Sequence, residues 1–148
     1  MDVKDIVDLS IKGVTATLAV VGAAVALWNV RITVRTKTAE FLLSLHKAFF
    51  TEKTYDDMRR FLDDQGEIAV KELALKVHNE DDDFIRFLNF FELIAYMWAC
   101  HTLQYEDVEA LLGYYLRRLN HNEEVRKYIS NPEKSFEHLN RLLKKIAL

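Results

Sequence analysis

The chain has 148 residues, of which 50% are hydrophobic and 29% are charged, and its net charge is −3. This length suits one ordinary domain, and the hydrophobic content excludes an intrinsically disordered chain. Cys100 is the only cysteine, which excludes an internal disulfide, and no segment has the dense basic stripe that duplex nucleic acid requires. With four glycines and one proline, the composition predicts long helices.

The first predicted element is the apolar stretch GVTATLAVVGAAVALWNV, residues 13–30, which has 18 residues and no charge. As a helix it would be about 27 Å long, close to the roughly 30 Å hydrocarbon core of a bilayer. Lys12 and Arg31 flank the stretch, and Trp28 stands near one end, where aromatic rings favour the membrane interface. The pattern predicts a transmembrane helix. The alternatives are a buried helix of a soluble domain, a cleaved signal peptide and a pair of buried strands.

The charges beside this stretch predict its orientation. Four basic residues follow it within residues 31–47, whereas the N-terminal arm has two lysines. The positive-inside rule therefore predicts a short extracytoplasmic arm, residues 1–12, and a cytoplasmic domain, residues 31–148. The expected location is the inner membrane, with a single pass through the lipid bilayer.

Small residues form a stripe on the same stretch. They recur at steps of three and four residues: Gly13, Ala16, Ala19, Gly22 and Ala26. Small side chains let neighbouring helices approach closely in lipid. The stripe predicts self-association into a homo-oligomer, and the alternative is that alanine and glycine are simply common in such helices.

The rest of the chain predicts an all-α fold, with a bundle of about five helices after the N-terminal one. Apolar residues at helical spacing within 41–49 predict one continuous helix from Val14 to about Phe50. The segment 84–103 is apolar on nearly every side, which is typical of the central helix of a core.

Three polar residues interrupt this central helix, Arg86, Asn89 and Glu92, and the last two are three residues apart and therefore share a face. An unpaired carboxylate in apolar surroundings is costly, so Glu92 requires a partner. Arg59 or Arg60, from the preceding pair of helices, is the expected one. This buried polar cluster is interpreted either as a structural ion pair or as a polar pocket.

No catalytic or metal-binding motif accompanies these helices. The five histidines are spread along the chain without the spacing of a metal site, and phosphate-binding loops and nucleophile elbows are absent from the sequence. The sequence therefore predicts a non-enzymatic protein without a metal or a cofactor.

Three segments carry a family resemblance: FLNFFELIAYMW, EDVEALLGYYLRRL and FEHLNRLLKKI. With the N-x-x-E pattern of Asn89 and Glu92, they resemble a family of small bacterial proteins of unknown function, over about residues 84–143. The resemblance implies an N-terminal membrane helix and a helical cytoplasmic part, and it implies no activity.

In architecture alone, the chain is similar to the small membrane effectors of type III CRISPR defence, in which a cytoplasmic domain binds a cyclic oligoadenylate. That likeness implies cations for the phosphates and aromatic rings for adenine. Two neighbouring segments could supply both, through Tyr114, Tyr115, Arg117, Arg118, Arg126, Lys127 and Tyr128. The alternative is a solvated basic face around buried tyrosines.

Together these patterns predict a membrane-anchored sensor and effector in antiviral defence. Its oligomeric helical domain would bind a ligand, such as a cyclic oligoadenylate, and perturb the membrane through the N-terminal helix. One alternative is a passive membrane anchor or adaptor that holds a partner protein. Another is a fully soluble helical domain.

Overall fold

The computed structural model describes residues 3–64 and 66–146, with side chains from residue 20 onward, and these residues form α-helices without any strand. The helices are α1 (Val3–Thr51), α2 (Lys53–Asp63), α3 (Glu67–His78), α4 (Asp82–Ala99), α5 (Tyr105–His121), α6 (Glu123–Ser130) and α7 (Glu137–Ile146). A 3-10 turn, Pro132–Lys134, precedes α7. The all-α prediction is confirmed, and in the described residues six helices follow α1 where about five were expected.

The chain divides into two compact units, Met1–Leu42 and Leu43–Leu148. The division falls within α1, which runs from Val3 to Thr51 and confirms the predicted continuous helix. The sequence placed the boundary at the end of the apolar run, between residues 30 and 31. Along the described chain, the first buried side chain is Phe49.

The N-terminal unit exposes most of its described side chains. The hydroxyls of Thr33 and Thr36 donate to the carbonyl oxygens of Asn29 and Ile32, at 2.9 and 3.1 Å, and are thus satisfied within the helix. Two of the five predicted helix-packing residues, Gly22 and Ala26, are exposed. The other three are outside the described side chains: Gly13, Ala16 and Ala19.

The prediction of a transmembrane helix is wrong. No helix in the described part of the chain combines the length and the apolar character that crossing a bilayer requires. The described side chains of α1 beyond residue 30 include Arg31, Arg35 and Lys37, and charged side chains are costly in a hydrocarbon core. The part of the prediction on residues 13–19 falls outside the described side chains. The predicted single-pass location in the inner membrane depended on this helix and is wrong as well.

The core of the C-terminal unit is an aromatic cluster with Phe49 at its centre. The ring of Phe49 stacks on Phe90 with centroids 5.2 Å apart, and it meets Phe91 and Tyr115 edge-on at 5.6 and 5.0 Å. The central helix is α4, as predicted. It buries apolar residues at steps of three and four: Phe84, Phe87, Leu88, Phe91 and Ile94.

Arg59 is the one charged residue that is buried in the described part of the chain. From α2, its guanidinium donates to the carbonyl oxygens of Phe49 and Phe50, and to Asp56 at 3.0 Å. The last carbonyl groups of a helix have no partner within the helix, so Arg59 caps the C-terminus of α1. The rings of Phe49 and Phe50 lie 5.4 and 5.1 Å from its guanidinium carbon, within cation–π distance.

Asp81 is the N-cap of α4, and its charge contributes to stability. Its carboxylate accepts hydrogen bonds from the backbone N–H groups of Asp83 and Phe84, at 3.1 and 3.3 Å, and from Lys76 at 3.1 Å. Burial opposes ionisation, but these hydrogen bonds outweigh it and hold the pKa of Asp81 below its ordinary value of 3.8. A lowered carboxyl pKa gives stability that is present above the unfolded-state pKa and is lost as the pH falls through the folded-state pKa.

Replacing Asp81 with alanine is expected to lower the free energy of unfolding by about 1 kcal/mol at neutral pH, because the N-cap is lost. The difference from wild type should narrow as the pH falls from 3.8 through the lowered pKa of folded Asp81, because the carboxyl of the native protein becomes protonated only there. Urea denaturation at a series of pH values measures both effects. Asp82→Ala, at an exposed neighbouring position, is the control and should change stability by less than about 0.5 kcal/mol. If the difference in unfolding free energy between the wild type and Asp81→Ala stayed constant into strong acid, the contribution of the Asp81 charge to stability would be contradicted.

Candidate functional site

The seven basic and aromatic residues predicted to bind a ligand do not form one surface. Tyr115 is buried, its ring packs on Phe49, and its hydroxyl lies 3.5 Å from Asp63. Burial, and then the charge of Asp63, raises the pKa of Tyr115. Tyr114 is exposed. Of the three rings expected to stack on a ligand, Tyr115 is thus buried, Tyr114 faces solvent and Tyr128 is half-buried on α6.

Most of the predicted cations already have partners. Arg117 pairs with Glu109 at 3.2 Å, and Arg118 donates to the hydroxyl of Tyr114. Lys127 pairs with two glutamates of its own helix, Glu123 at 3.1 Å and Glu124 at 3.3 Å. Hydrogen bonds to these two carboxylates raise the pKa of Lys127. The remaining cation, Arg126, is half-buried on α6. An anionic ligand would have to compete with the protein's own acids.

The four residues of the predicted buried polar cluster, Arg59, Arg60, Asn89 and Glu92, do not lie together either. Arg59 and Arg60 both pair with Asp56, at 3.0 and 2.7 Å, while Asn89 is exposed on α4. Glu92 does not pair with either arginine. The cluster was predicted from residue spacing within one helix, whereas the partner of Glu92 is His138, 46 residues away in the sequence.

Glu92 lies at the N-terminus of α7. Its Oε1 accepts from the backbone N–H of His138 at 3.2 Å and lies 2.7 Å from His138 Nδ1, while Oε2 accepts from the N–H of Leu139 at 2.7 Å. The first N–H groups of a helix have no acceptor within the helix, and the positive end of the helix dipole favours a carboxylate there. Glu92 is thus a cap for α7 that is supplied by α4.

A crevice of about 330 Å³ opens between α3, α6 and the 3-10 turn. Its lining comprises Ala74, Val77, His78, Glu80, Glu124, Lys127, Tyr128, Asn131 and Lys134. Lys134 Nζ is 2.5 Å from Glu80 Oε1 and 5.4 Å from the centre of the Tyr128 ring. We call this feature the α3–α6 crevice. It holds Lys127 and Tyr128, two of the seven predicted residues, whereas Arg118 lines a different crevice of about 200 Å³.

The sequence from residue 16 to residue 145 matches a family described as a domain of unknown function, DUF4760. The chain belongs to the DUF4760 family. No curated protein and no solved structure matches it. This match confirms the prediction that the chain resembles a family of unknown function. The match gives no support to a membrane helix or to the likeness with CRISPR effectors.

The α3–α6 crevice of this DUF4760 protein is close to electrically neutral. Lys127 and Lys134 contribute two positive charges, Glu80 and Glu124 contribute two negative ones, and each lysine contacts one of these carboxylates. The hydrogen bond to Glu80 raises the pKa of Lys134, and burial raises the pKa of Tyr128. At neutral pH both lysines are therefore cationic and Tyr128 is an uncharged ring with a hydroxyl group.

Sequence reasoning missed most of the lining of this crevice in the DUF4760 chain. Lys134 and Glu80 are 54 residues apart, and nothing in either segment indicates the other. Among the described residues, no group of three or more His, Cys, Asp or Glu side chains is placed to hold a metal ion. The chemistry that the crevice offers is therefore that of paired lysines beside an aromatic ring.

Proposed function

We propose that this chain is a non-enzymatic sensor whose C-terminal unit binds a small ligand in the α3–α6 crevice. The observation that carries the proposal is the convergence of Lys127, Lys134 and Tyr128 on one concave site of about 330 Å³. That volume lies at the lower end of the range for ligand pockets, which suits a single nucleotide-sized group.

The ligand class that fits these side chains has an anionic group and a flat ring. Lysine ammonium groups donate charge-assisted hydrogen bonds to phosphate oxygens, and an aromatic ring offers a surface for a base. A cyclic oligoadenylate has both features, and one of its adenylate units would occupy one crevice. Binding would require Lys134 and Lys127 to exchange their glutamate partners for phosphate, so the affinity should fall as the salt concentration rises.

A non-enzymatic role is supported by the state of the acids in the crevice. Glu80 and Glu124 both contact lysines, at 2.5 and 3.3 Å, and so neither is positioned as a free general base. The proposal therefore assigns this site to recognition of a ligand and not to its conversion.

Isothermal titration calorimetry of the full chain with cyclic oligoadenylates, and with AMP as the single unit, tests this proposal. Lys134→Met should weaken binding at least about tenfold, because a charge-assisted hydrogen bond is worth about 1.5–3 kcal/mol. Lys71→Met is the matched control, since Lys71 is an exposed α3 lysine that pairs with Glu67 away from the crevice lining. Flat heats with every nucleotide, or equal binding by Lys134→Met and wild type, would refute the proposal.

The second candidate function is that of an adaptor that holds a partner protein. It is favoured by α3, where Ile68 and Leu75 are 76% and 59% exposed. These residues are seven apart and therefore share one helix face, a spacing that a partner helix can cover. If this candidate is right, Ile68→Asp abolishes binding of a defined partner while the calorimetric titrations stay flat.

A further inference from the structure

Three basic side chains of α7 are exposed without an acidic partner. Arg141, Lys144 and Lys145 have no carboxylate within ion-pair distance among the described residues. Both lysines neighbour Arg141 on the helix surface, because they follow it by three and four residues. On α5 and α6, by contrast, Arg117 and Lys127 pair with glutamates of their own helices. The surface of α7 therefore carries three positive charges that the described residues do not neutralise.

Aromatic rings from α4 and α5 hold two of these cations in place. Arg141 Cζ and Lys145 Nζ lie 5.8 and 5.5 Å from the centre of the Trp98 ring. Lys145 Nζ also lies 4.5 Å from the centre of the Tyr105 ring. A ring attracts a cation through its quadrupole but has no net charge, so the cation keeps its charge for an outside partner. We call the set of Trp98, Tyr105, Arg141, Lys144 and Lys145 the α7 basic patch.

One carboxylate borders the α7 basic patch, and it already has a partner. Glu109 pairs with Arg117 at 3.2 Å. Burial raises the pKa of Tyr105, and the charge of Glu109 and a hydrogen bond to it raise that pKa further. Tyr105 is therefore uncharged at neutral pH and does not neutralise Lys145.

The helix dipole accounts for only part of this arrangement. The negative end of the dipole favours lysines in the last turn of a helix, where Lys144 and Lys145 lie. Arg141 precedes that turn, and like charges four residues apart, such as Arg141 and Lys145, destabilise a helix. An anion bound from outside would relieve this repulsion.

We propose that the α7 basic patch binds an acidic peptide segment of a partner protein, whose carboxylates pair with Arg141, Lys144 and Lys145. From Arg141 to Lys145 the helix rises about 6 Å, and alternate side chains of an extended peptide are about 6.6 Å apart. Two acidic residues at alternate positions of an extended segment thus match the length of the patch. Complementary charge selects this partner.

The packing around the α7 basic patch disfavours two other polyanions. A lipid surface binds an amphipathic helix through its apolar face, but α7 buries that face in the core through Leu139, Leu142 and Leu143. Single-stranded nucleic acid requires open rings on which bases stack, whereas Trp98 is half-buried and has two cations over its ring. An acidic peptide requires neither feature.

Fluorescence anisotropy of a labelled oligoglutamate peptide, titrated with the full chain, tests this proposal. A peptide of about six residues is about 20 Å long when extended and so exceeds the patch. We expect saturable binding that weakens as the salt concentration rises, because exposed charges are screened. The double variant Arg141→Gln with Lys145→Gln should raise the dissociation constant at least about tenfold, the product of losses of about three- to fivefold for each exposed ion pair.

Lys47→Gln combined with Lys53→Gln is the matched control. Lys47 and Lys53 are exposed lysines on other helices and have no ion-pair partner among the described residues, so this variant removes the same total charge. Its affinity for the peptide should stay within about twofold of wild type, because charges outside the contact are screened. Lys145→Arg keeps both the charge and the ring contacts and should retain binding. Circular dichroism verifies that each variant is folded.

Three results would overturn the proposal. They are no binding of the peptide even at low ionic strength, an equal loss of affinity in the two double variants, and tighter binding to oligothymidylate or to phosphatidylglycerol vesicles than to the peptide. The second result would show that only the overall charge matters, and the third would assign the patch to nucleic acid or lipid. The calorimetric proposal for the α3–α6 crevice is independent of all three, because the crevice lining and the α7 basic patch share no residue.

Discussion

Replacing Phe49 with alanine is expected to lower the free energy of unfolding of the C-terminal unit by about 3–5 kcal/mol, the range for removal of a fully buried phenylalanine. Phe49 has no exposed surface, and its ring contacts those of Phe90, Phe91 and Tyr115. Its removal leaves a cavity among rings from α4 and α5 that cannot all move inward. Urea denaturation followed by circular dichroism measures the loss.

Phe50 supplies the control, because it is the same residue type one position later and is 43% exposed. Phe50→Ala should cost about 1 kcal/mol, mainly through its edge-on contact with Tyr115 and its position over Arg59. Equal effects of the two substitutions would contradict the central place of Phe49 in the core.

Replacing Glu92 with glutamine is expected to cost about 1.5–3 kcal/mol, the range for hydrogen bonds to a charged group. Glutamine keeps one oxygen but turns its amide N–H₂ toward backbone N–H groups of α7, so either His138 or Leu139 loses its acceptor. The attraction between the carboxylate and the N-terminal end of the helix is lost as well. Thermal unfolding of the variant and the wild type measures the difference.

Asn89→Ala is the control for Glu92, because Asn89 is exposed on the same helix, three residues earlier. It should change stability by less than about 0.5 kcal/mol. If Glu92→Gln leaves stability unchanged but weakens ligand binding, Glu92 belongs to a binding pocket and its role as a cap is refuted.

The helices themselves followed from the sequence because their causes are local. Apolar steps of three and four residues placed α4 at the centre of the core, and the apolar positions near Phe49 indicated that α1 continues past residue 40. The charge-free run before Arg31 is also a local signal, but its length alone could not distinguish a bilayer from another apolar environment. In that case the sequence prediction was wrong.

The candidate site could not be predicted in the same way. Glu92 contacts a helix terminus 46 residues away, and Lys134 contacts Glu80 across 54 residues. Such contacts depend on how helices pack, and spacing along one helix carries no information about them. Arg117 and Lys127 were correctly seen as basic residues beside tyrosines, but their acidic partners, Glu109 and Glu123, face them on the same helices.

The end of α1 has a consequence for how this protein can be divided. Phe49 is a core residue of the C-terminal unit, and Arg59 binds the carbonyl oxygens of Phe49 and Phe50. A fragment that begins at Leu43 keeps these interactions, whereas one that begins at Thr51 lacks the central ring and leaves the guanidinium of Arg59 buried without them. In a gene fusion or a natural domain exchange, the last two turns of α1 must therefore be inherited together with α2–α7.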